Sequence, residues 1–443
     1  MSDATPDTQP TAPTGLRAFL WIWAGQTLSM IGTGITGFAL GVWIYQTTGS
    51  VTQFTLAAVF VALPGILLGP FLGVLVDRWD RRWAMILADL GSVVRVVFLL
   101  VLIGAESLEL EVWHIYLAAA VRSVFDAIQM PAYMASVPLM VPKEQLGRIN
   151  GLIQFSPSAS QVVAPAAAGL LLPIIGLEGV LWIDIATFLF AVVVLLAVRI
   201  PRPKPAEGDG KRPTMWQQAA LGWHFVRDRP GLLSMAIFFA AINLVVGFAF
   251  VLVTPLVLAL GGSETELGFV LSLGSIGMVL GSVLMTSWGG PKKKIWGVLI
   301  TAPWLGLAMV LTGFSPLLPV VTAGVLAFYF GLPVINACAQ TIWQVKVEPA
   351  LQGRVFAMLR VVGQISLPIA YLSAGPLADS LEPLMAAGGR LAAGPLGQIL
   401  GVGPGRGIGL QLVAMGGLLA LLGIAGAFYP RLRHVEDELP DAV

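Results

Sequence analysis

Five ionisable residues stand inside long apolar stretches, where charge is expensive and usually functional. They are Asp89, Arg95, Arg122, Asp126 and Arg360. Arg122 and Asp126 are four apart, so on a helix they share a face and can pair. A carboxyl beside a cation in such a setting can take up and release a proton. Asp126 is therefore the expected titrating group and Arg122 its tuning partner. A structural alternative stays open, in which Asp126 only anchors a neighbouring loop. Asp89 and Arg95 are expected to be structural, and Asp184 and Asp379, near the ends of their segments, to be interfacial caps. The three histidines, His114, His224 and His434, fall in loops, at interfaces or in the tail, so proton chemistry would rest on carboxylates. Amides in apolar segments, Gln26, Asn243, Asn336 and Gln340, are candidate substrate contacts or plain helix-to-helix bonds, since a buried amide needs a partner. Phe38 and Phe248, with Trp43 and Tyr329, offer apolar surface for a hydrophobic ligand or for packing.

The elements that hold these residues follow from composition. Of 443 residues 57% are apolar and 11% charged, with mean hydropathy +0.86. A soluble domain carries roughly 25% charged residues, so the solvent of this chain is lipid. A spanning helix takes about 20 apolar residues, and twelve apolar segments can be counted, six on each side of the polar stretch Pro201–Arg229. The expected fold is all-α, with twelve transmembrane helices in two pseudo-symmetric six-helix bundles. The divisions are a polar N-terminal tail at 1–16, bundles at 17–200 and 231–430, a linker at 201–230 and a tail at 431–443. Within the linker Trp216, Ala220, Trp223 and Val226 recur at helical spacing, as in a helix lying in the membrane interface.

Most bases fall in loops on one side, among them Arg17, Arg78, Arg81, Arg82, Lys143, Arg148, Lys292–Lys294, Lys346, Arg354, Arg431 and Arg433. The opposite loops are acidic, with Glu109, Glu111, Glu178, Glu264, Glu266 and Glu382. The positive-inside rule then places both termini in the cytoplasm, which requires an even number of spans.

Several chemistries lack support. Net charge is +1 and no basic run exceeds Lys292–Lys294, which excludes a nucleic-acid surface. Cys338 stands alone, so neither an intrachain disulfide nor a multi-cysteine metal site is possible. Gly32-Thr-Gly34-Ile-Thr-Gly37 fits a dinucleotide fingerprint but lies inside a spanning segment, where small residues serve helix packing. No phosphate loop, zincin or nucleophile-elbow motif occurs, and no enzyme activity is expected.

Two internal matches suggest a repeat. Gly147-Arg148 through Ala168-Gly169 matches Gly353-Arg354 through Ala374-Gly375, and Gly69-x-x-x-Gly73 matches Gly277-x-x-x-Gly281, at nearly equal offsets. Parallel halves of this kind place a substrate site near the midplane between them.

The run Gly73-Val-Leu-Val-Asp77-Arg78-Trp-Asp80-Arg81-Arg82 resembles the G-x-x-x-D-R-x-G-R-R signature of the major facilitator superfamily, departing at Asp80. The stretches GQTLSMIGTGITGFALGVWIYQTTGS, FDAIQMPAYMASVPLMVPKEQLGRINGL, WIDIATFLF and SWGGPKKK are similar to its macrolide-efflux-type exporters over about 17–438. The resemblance implies a cytoplasmic latch in which Asp77 meets a helix amino terminus of the other half, Arg78 and Arg81 pair with acids, and Gly73 and Arg82 complete the motif. It also implies a cavity-lining fourth span and export of amphipathic molecules, macrolide- or siderophore-like, against proton entry. The chain would be a monomer of the bacterial inner membrane with no resident cofactor, driven by the proton gradient. Two other readings fit the residues: a lipid or lysolipid translocase, and a receptor or scaffold that keeps the fold without moving a solute.

Overall fold

The computed structural model describes residues 15–105, 109–142, 145–198, 200 and 222–438, except the side chains at 70, 74, 77, 78, 147, 349, 350, 357 and 360. Helices α1 (Leu16–Thr48), α2 (Val51–Arg78), α3 (Arg81–Gly104) and α4 (Val112–Met140) come first. The run Leu146–Ala197 bends at Gly176, whose φ of 65° suits glycine alone, and so holds α5 (146–175) and α6 (177–197). Then follow α7 (Pro230–Ala259), α8 (Glu264–Trp288), α9 (Lys294–Phe314), α10 (Leu318–Lys346), α11 (Pro349–Met385) and α12 (Arg406–Phe428). Among the described residues ten stretches are long and apolar enough to cross a membrane, the bent run counting once. Helix α4 is the exception, because Arg122, Asp126 and Gln129 dilute its apolar residues.

Short turns make the helices antiparallel, and caps start them. The Ser50 hydroxyl accepts from Gln53 N–H at α2, and Ser263 forms a capping box with Glu266 at α8. Asp80, the departure from the familiar motif, is the amino-terminal cap of α3, accepting from Arg82 N–H.

Helices α1–α6 pack on one another, as do α7–α12. Between the groups the principal contacts are α5 with α8 and α2 with α11, pairs exchanged by the internal repeat. Without water to drive helix association, close backbone approach does the work. A Cβ at Gly32 or Gly34 would strike Thr187 or Ala164, so the apparent dinucleotide fingerprint is the α1 seam against α6 and α5. Cys338 is buried and free.

Several sequence expectations change. Asp184 is no interfacial cap: it is buried, 3.3 Å from Arg95, and accepts from the Thr33 hydroxyl. The described part of the terminal tail, as far as residue 438, is docked. Glu436 accepts from Lys294 N–H and Ile295 N–H at the start of α9, Asp437 bonds Lys293 at 2.8 Å, and Leu432 and Val435 are buried. Of the expected interfacial helix only 222–227 is described, and it buries Val226 while Trp223 stays 41% exposed. The glycine-rich run 401–407 carries the start of α12, where Glu382 accepts from Gly405 N–H and Gly407 N–H and buried Arg406 donates to the carbonyls of Gly313 and Phe314. The tail 1–14 and linker 201–221 lie outside the described residues.

Candidate functional site

Helix α4 brings the chemistry together. Arg122 Nε lies 3.2 Å from Asp126 Oδ2, as their spacing predicts, and both line a cavity of 250 Å³ walled by α1, α4 and α5. The Asp126 side chain is 51% exposed and that of Arg122 26%. Asp126 is thus an accessible acid and not a buried one. The wall also carries Gln26, Thr27, Gln129, Tyr133 and Ser156 among apolar Met30, Met130 and Ile153. The buried Tyr133 hydroxyl has no hydrogen-bond partner among the described residues. Sequence reading passed over Tyr133 and Gln129, although both sit on the Asp126 face of α4 at three- and seven-residue spacing.

Arg122 also lines a second cavity, of 310 Å³, shared by α1, α2, α4 and Arg95, with Tyr371 of α11 on its wall. Its lining residues belong to the opposite half of the same helices. Arg122 therefore stands between two cavities, paired on one side with Asp126.

The other bundle has a cavity of 260 Å³, lined by Asn243, Asn336 and Gln340 beside Phe239 and Trp343. Three of the expected amide contacts thus meet in one place, and Gln26 faces the first cavity. Of the two aromatic alternatives packing is the one seen: Phe248 is 6% exposed in the core, Phe38 packs against that core, and neither lines either cavity.

Let the near face be the one holding the start of α1 and the end of α12, and the far face its opposite. At the far face the bundles are sealed. Asp379 on α11 accepts from the Ser50 hydroxyl and from Val51 and Thr52 N–H at the start of α2. Across α5 and α8, Thr265 donates to the Gly169 carbonyl, Ser272 to Val162 and Ser275 to Gln161. A Cβ at Gly169 would lie 2.7 Å from the Glu264 carbonyl, and one at Gly375 2.5 Å from Thr52 Cα. The two glycines matched by the repeat are both close approaches of the seal, as is Gly268, whose Cβ would lie 2.5 Å from the Pro165 carbonyl. Beyond Ser275 the helices part into a groove of 710 Å³ lined by Phe155, Val163, Met278, Val283 and Thr286. Gly69, Gly73, Gly151 and Gly353, toward the near face, have open space around them.

Of the motif, Asp77 and Arg78 have side chains outside the described set. Arg81 donates to the Ala135 carbonyl of α4 at 2.7 Å, and no described acid pairs with it. Arg82 donates to the carbonyls of Leu195 and Leu196 in the last turn of α6. The Arg82 guanidinium thus binds a helix end, where a cation also suits the dipole.

Residues 22–371 match the Major Facilitator Superfamily. The chain belongs to that superfamily. This major facilitator protein is 30% identical over 385 residues to macrolide efflux protein A of Streptococcus pyogenes, covering 82% of this chain and 90% of that protein. It is 25% identical to the multidrug efflux pump Tap of Mycolicibacterium fortuitum, over 91% of this chain and 94% of that one. Its fold is similar to that of a bacterial homologue of the lysosomal transporter Spinster in an inward-facing, unoccupied conformation, with TM-score 0.68, 17% identity and coverage of 96% and 98%. A bacterial homologue of the iron transporter ferroportin, inward-facing, gives TM-score 0.67 at 14% identity over 93% and 98%. The chain is a multi-pass membrane transporter of the major facilitator fold.

Proposed function

We propose that this transporter exports amphipathic small molecules in exchange for protons, with Asp126 as the carboxyl that exchanges and Arg122 as its partner. The observation that carries the reading is the Arg122–Asp126 pair, accessible in a cavity whose remaining wall is apolar with scattered hydroxyls and amides. Such a wall suits a ligand with an apolar body and a few polar groups. The near face carries Arg81, Arg82, Lys293, Lys294, Lys346, Arg431 and Arg433 and is the cytoplasmic one by charge. With the far face sealed, the reading takes this as an inward-open form in a bacterial inner membrane, with both termini inside. The monomer is the working unit. Names of the relatives, macrolide and multidrug efflux proteins, support the substrate class.

In this reading substrate enters from the cytoplasmic side between the two amide-bearing walls, and Asp77 and Gly73 belong to a latch that closes when the near face shuts. An external proton reaching Asp126 weakens its pairing with Arg122, and the differential proton affinity of the two forms drives the cycle. The test is reconstitution in liposomes with an imposed pH gradient, following ethidium or erythromycin and internal pH together. Substrate-dependent proton movement supports antiport. Transport unchanged when the pH gradient is collapsed contradicts it.

Movement of a lipid or lysolipid is a second reading, favoured by the apolar groove between α5 and α8. Fluorescent lysolipid assayed beside ethidium separates the two. A receptor that moves nothing predicts no counterflow of either compound.

A further inference from the structure

Beside the Asp126 cavity three side chains from three helices close a ring. Asp89 of α3, with no exposed surface, accepts from Gln26 Nε2 of α1 at 3.1 Å and from Gln129 Nε2 of α4 at 2.6 Å. Gln129 Nε2 also donates to Gln26 Oε1 at 2.6 Å. Both amides line the cavity that holds Asp126. Each contact to Asp89 is a donated hydrogen bond, the arrangement a carboxylate demands.

No cation completes it among the described residues. Arg95 is committed to Asp184 and Arg122 to Asp126. The described interior of this bundle therefore holds three carboxyls against two guanidiniums, and one bound proton makes the set neutral. Among charged groups Asp126 on α4 acts on Asp89, while Arg122 and Tyr133 of α4 line the adjoining cavity and Arg95 of α3 and Asp184 of α6 form their own pair. From α1 the neutral Gln26 faces it, and α5 brings none beyond Arg148 near its start. Asp77 and Arg78 on α2 have side chains outside the described set. An amide-held carboxylate in an apolar interior is a costly charge.

We propose that Asp89 is a second proton-binding site of the transporter, reached from the cavity through Gln26 and Gln129. A proton arriving from cavity water forms an O–H bond on Asp89, and that hydroxyl then needs an acceptor. Both amides present N–H to Asp89, so one must turn. Gln129 can do so by rotating its amide, placing Oε1 on the new hydroxyl and moving Nε2 toward the cavity, three residues along α4 from Asp126. Proton occupancy at Asp89 thereby sets whether the substrate wall offers a carbonyl or an N–H. This rests on the proton-coupled reading above, because a second proton has no part to play in an uncoupled carrier.

The test joins spectroscopy to transport. In pH-difference infrared spectra of the full-length protein in lipid nanodiscs, without substrate, a carboxylic C=O band growing on acidification should vanish in Asp89→Asn and persist in Asp126→Asn. In liposomes Asp89→Asn should keep ethidium counterflow while gradient-driven accumulation falls about tenfold or more, the scale of a typical coupling free energy. A band that survives Asp89→Asn, or accumulation that still follows the gradient as in wild type, overturns the proposal. Should Asp89→Asn fail to fold, Gln129→Leu must displace the band and its midpoint pH, and an unshifted band overturns it equally. If wild type moves no protons with substrate yet shows the Asp89 band, the proton site stands and the antiport reading falls.

Discussion

Asp379 near the end of α11 sits on the amino terminus of α2, its Oδ1 accepting from Val51 N–H at 2.9 Å, and so ties one bundle to the other at the far face. The Ser50 hydroxyl at 2.8 Å and Thr52 N–H at 3.0 Å complete the site. A carboxylate capping a helix start contributes about 1–2 kcal/mol, and here that energy exists only while the bundles touch. Asp379→Ala should shift the balance toward the far-open form by roughly 5- to 30-fold. Spin labels on α2 and α11 at that face, read by pulsed electron resonance, should show a longer-distance population. An unchanged distribution would count against the seal.

The glycines of the same seal make a steric prediction. With 2.5 Å between a Cβ at Gly375 and Thr52 Cα, Gly375→Val cannot coexist with the closed far face. The variant should insert normally yet be held away from the inward-open form, with ethidium efflux reduced about tenfold or more. Wild-type efflux would show that α2 and α11 do not approach in this way during the cycle.

Phe248 and the amides of the second cavity separate stability from binding. Phe248 is packed in the core of the α7–α12 bundle, so Phe248→Ala should cost about 3 kcal/mol or more and lower the melting temperature in detergent. Asn336→Leu and Gln340→Leu should melt near wild type and weaken erythromycin binding about 5- to 10-fold, the worth of one polar contact. The reverse pattern would place the ligand elsewhere.

The docked terminal segment gives a pH prediction with a definite sign. A hydrogen bond from Lys293 holds the Asp437 carboxyl below its ordinary value, aided by the nearby positive field of Lys293 and Lys346. A carboxyl held low stabilises docking above its unfolded pKa of about 4, and that contribution is lost as pH falls below it. Proteolysis near residue 438 should therefore stay constant from pH 8 to pH 5 and rise in more acid buffer. Asp437→Asn should raise it at neutral pH as well. Equal cleavage of variant and wild type at pH 7 would contradict the role of this pair.

Much of the architecture was legible because lipid imposes a coarse rule. Apolar runs of spanning length mark the helices, and a few interior charges stand out against them. The pair Arg122–Asp126 was visible because a four-residue spacing fixes a shared helix face. Partners on other helices were not: nothing local joins Asp184 to Arg95 or Asp89 to Gln26 and Gln129, since those meetings depend on tertiary packing. Phe248 stayed open between packing and ligand surface for the same reason, an aromatic in an apolar helix carrying no mark of which side faces a cavity. The repeat gave more than expected, since its matched glycines, Gly169 and Gly375, are both close approaches of the far-face seal.

Proton coupling through the α4 pair is tested most directly by substrate-driven proton flux in liposomes, wild type against Asp126→Asn. Wild type should move protons opposite to ethidium. The variant, inserted at the same level, should still exchange ethidium across the membrane but show neither proton movement nor accumulation against a gradient. Coupled flux of wild-type size in Asp126→Asn would contradict the assignment.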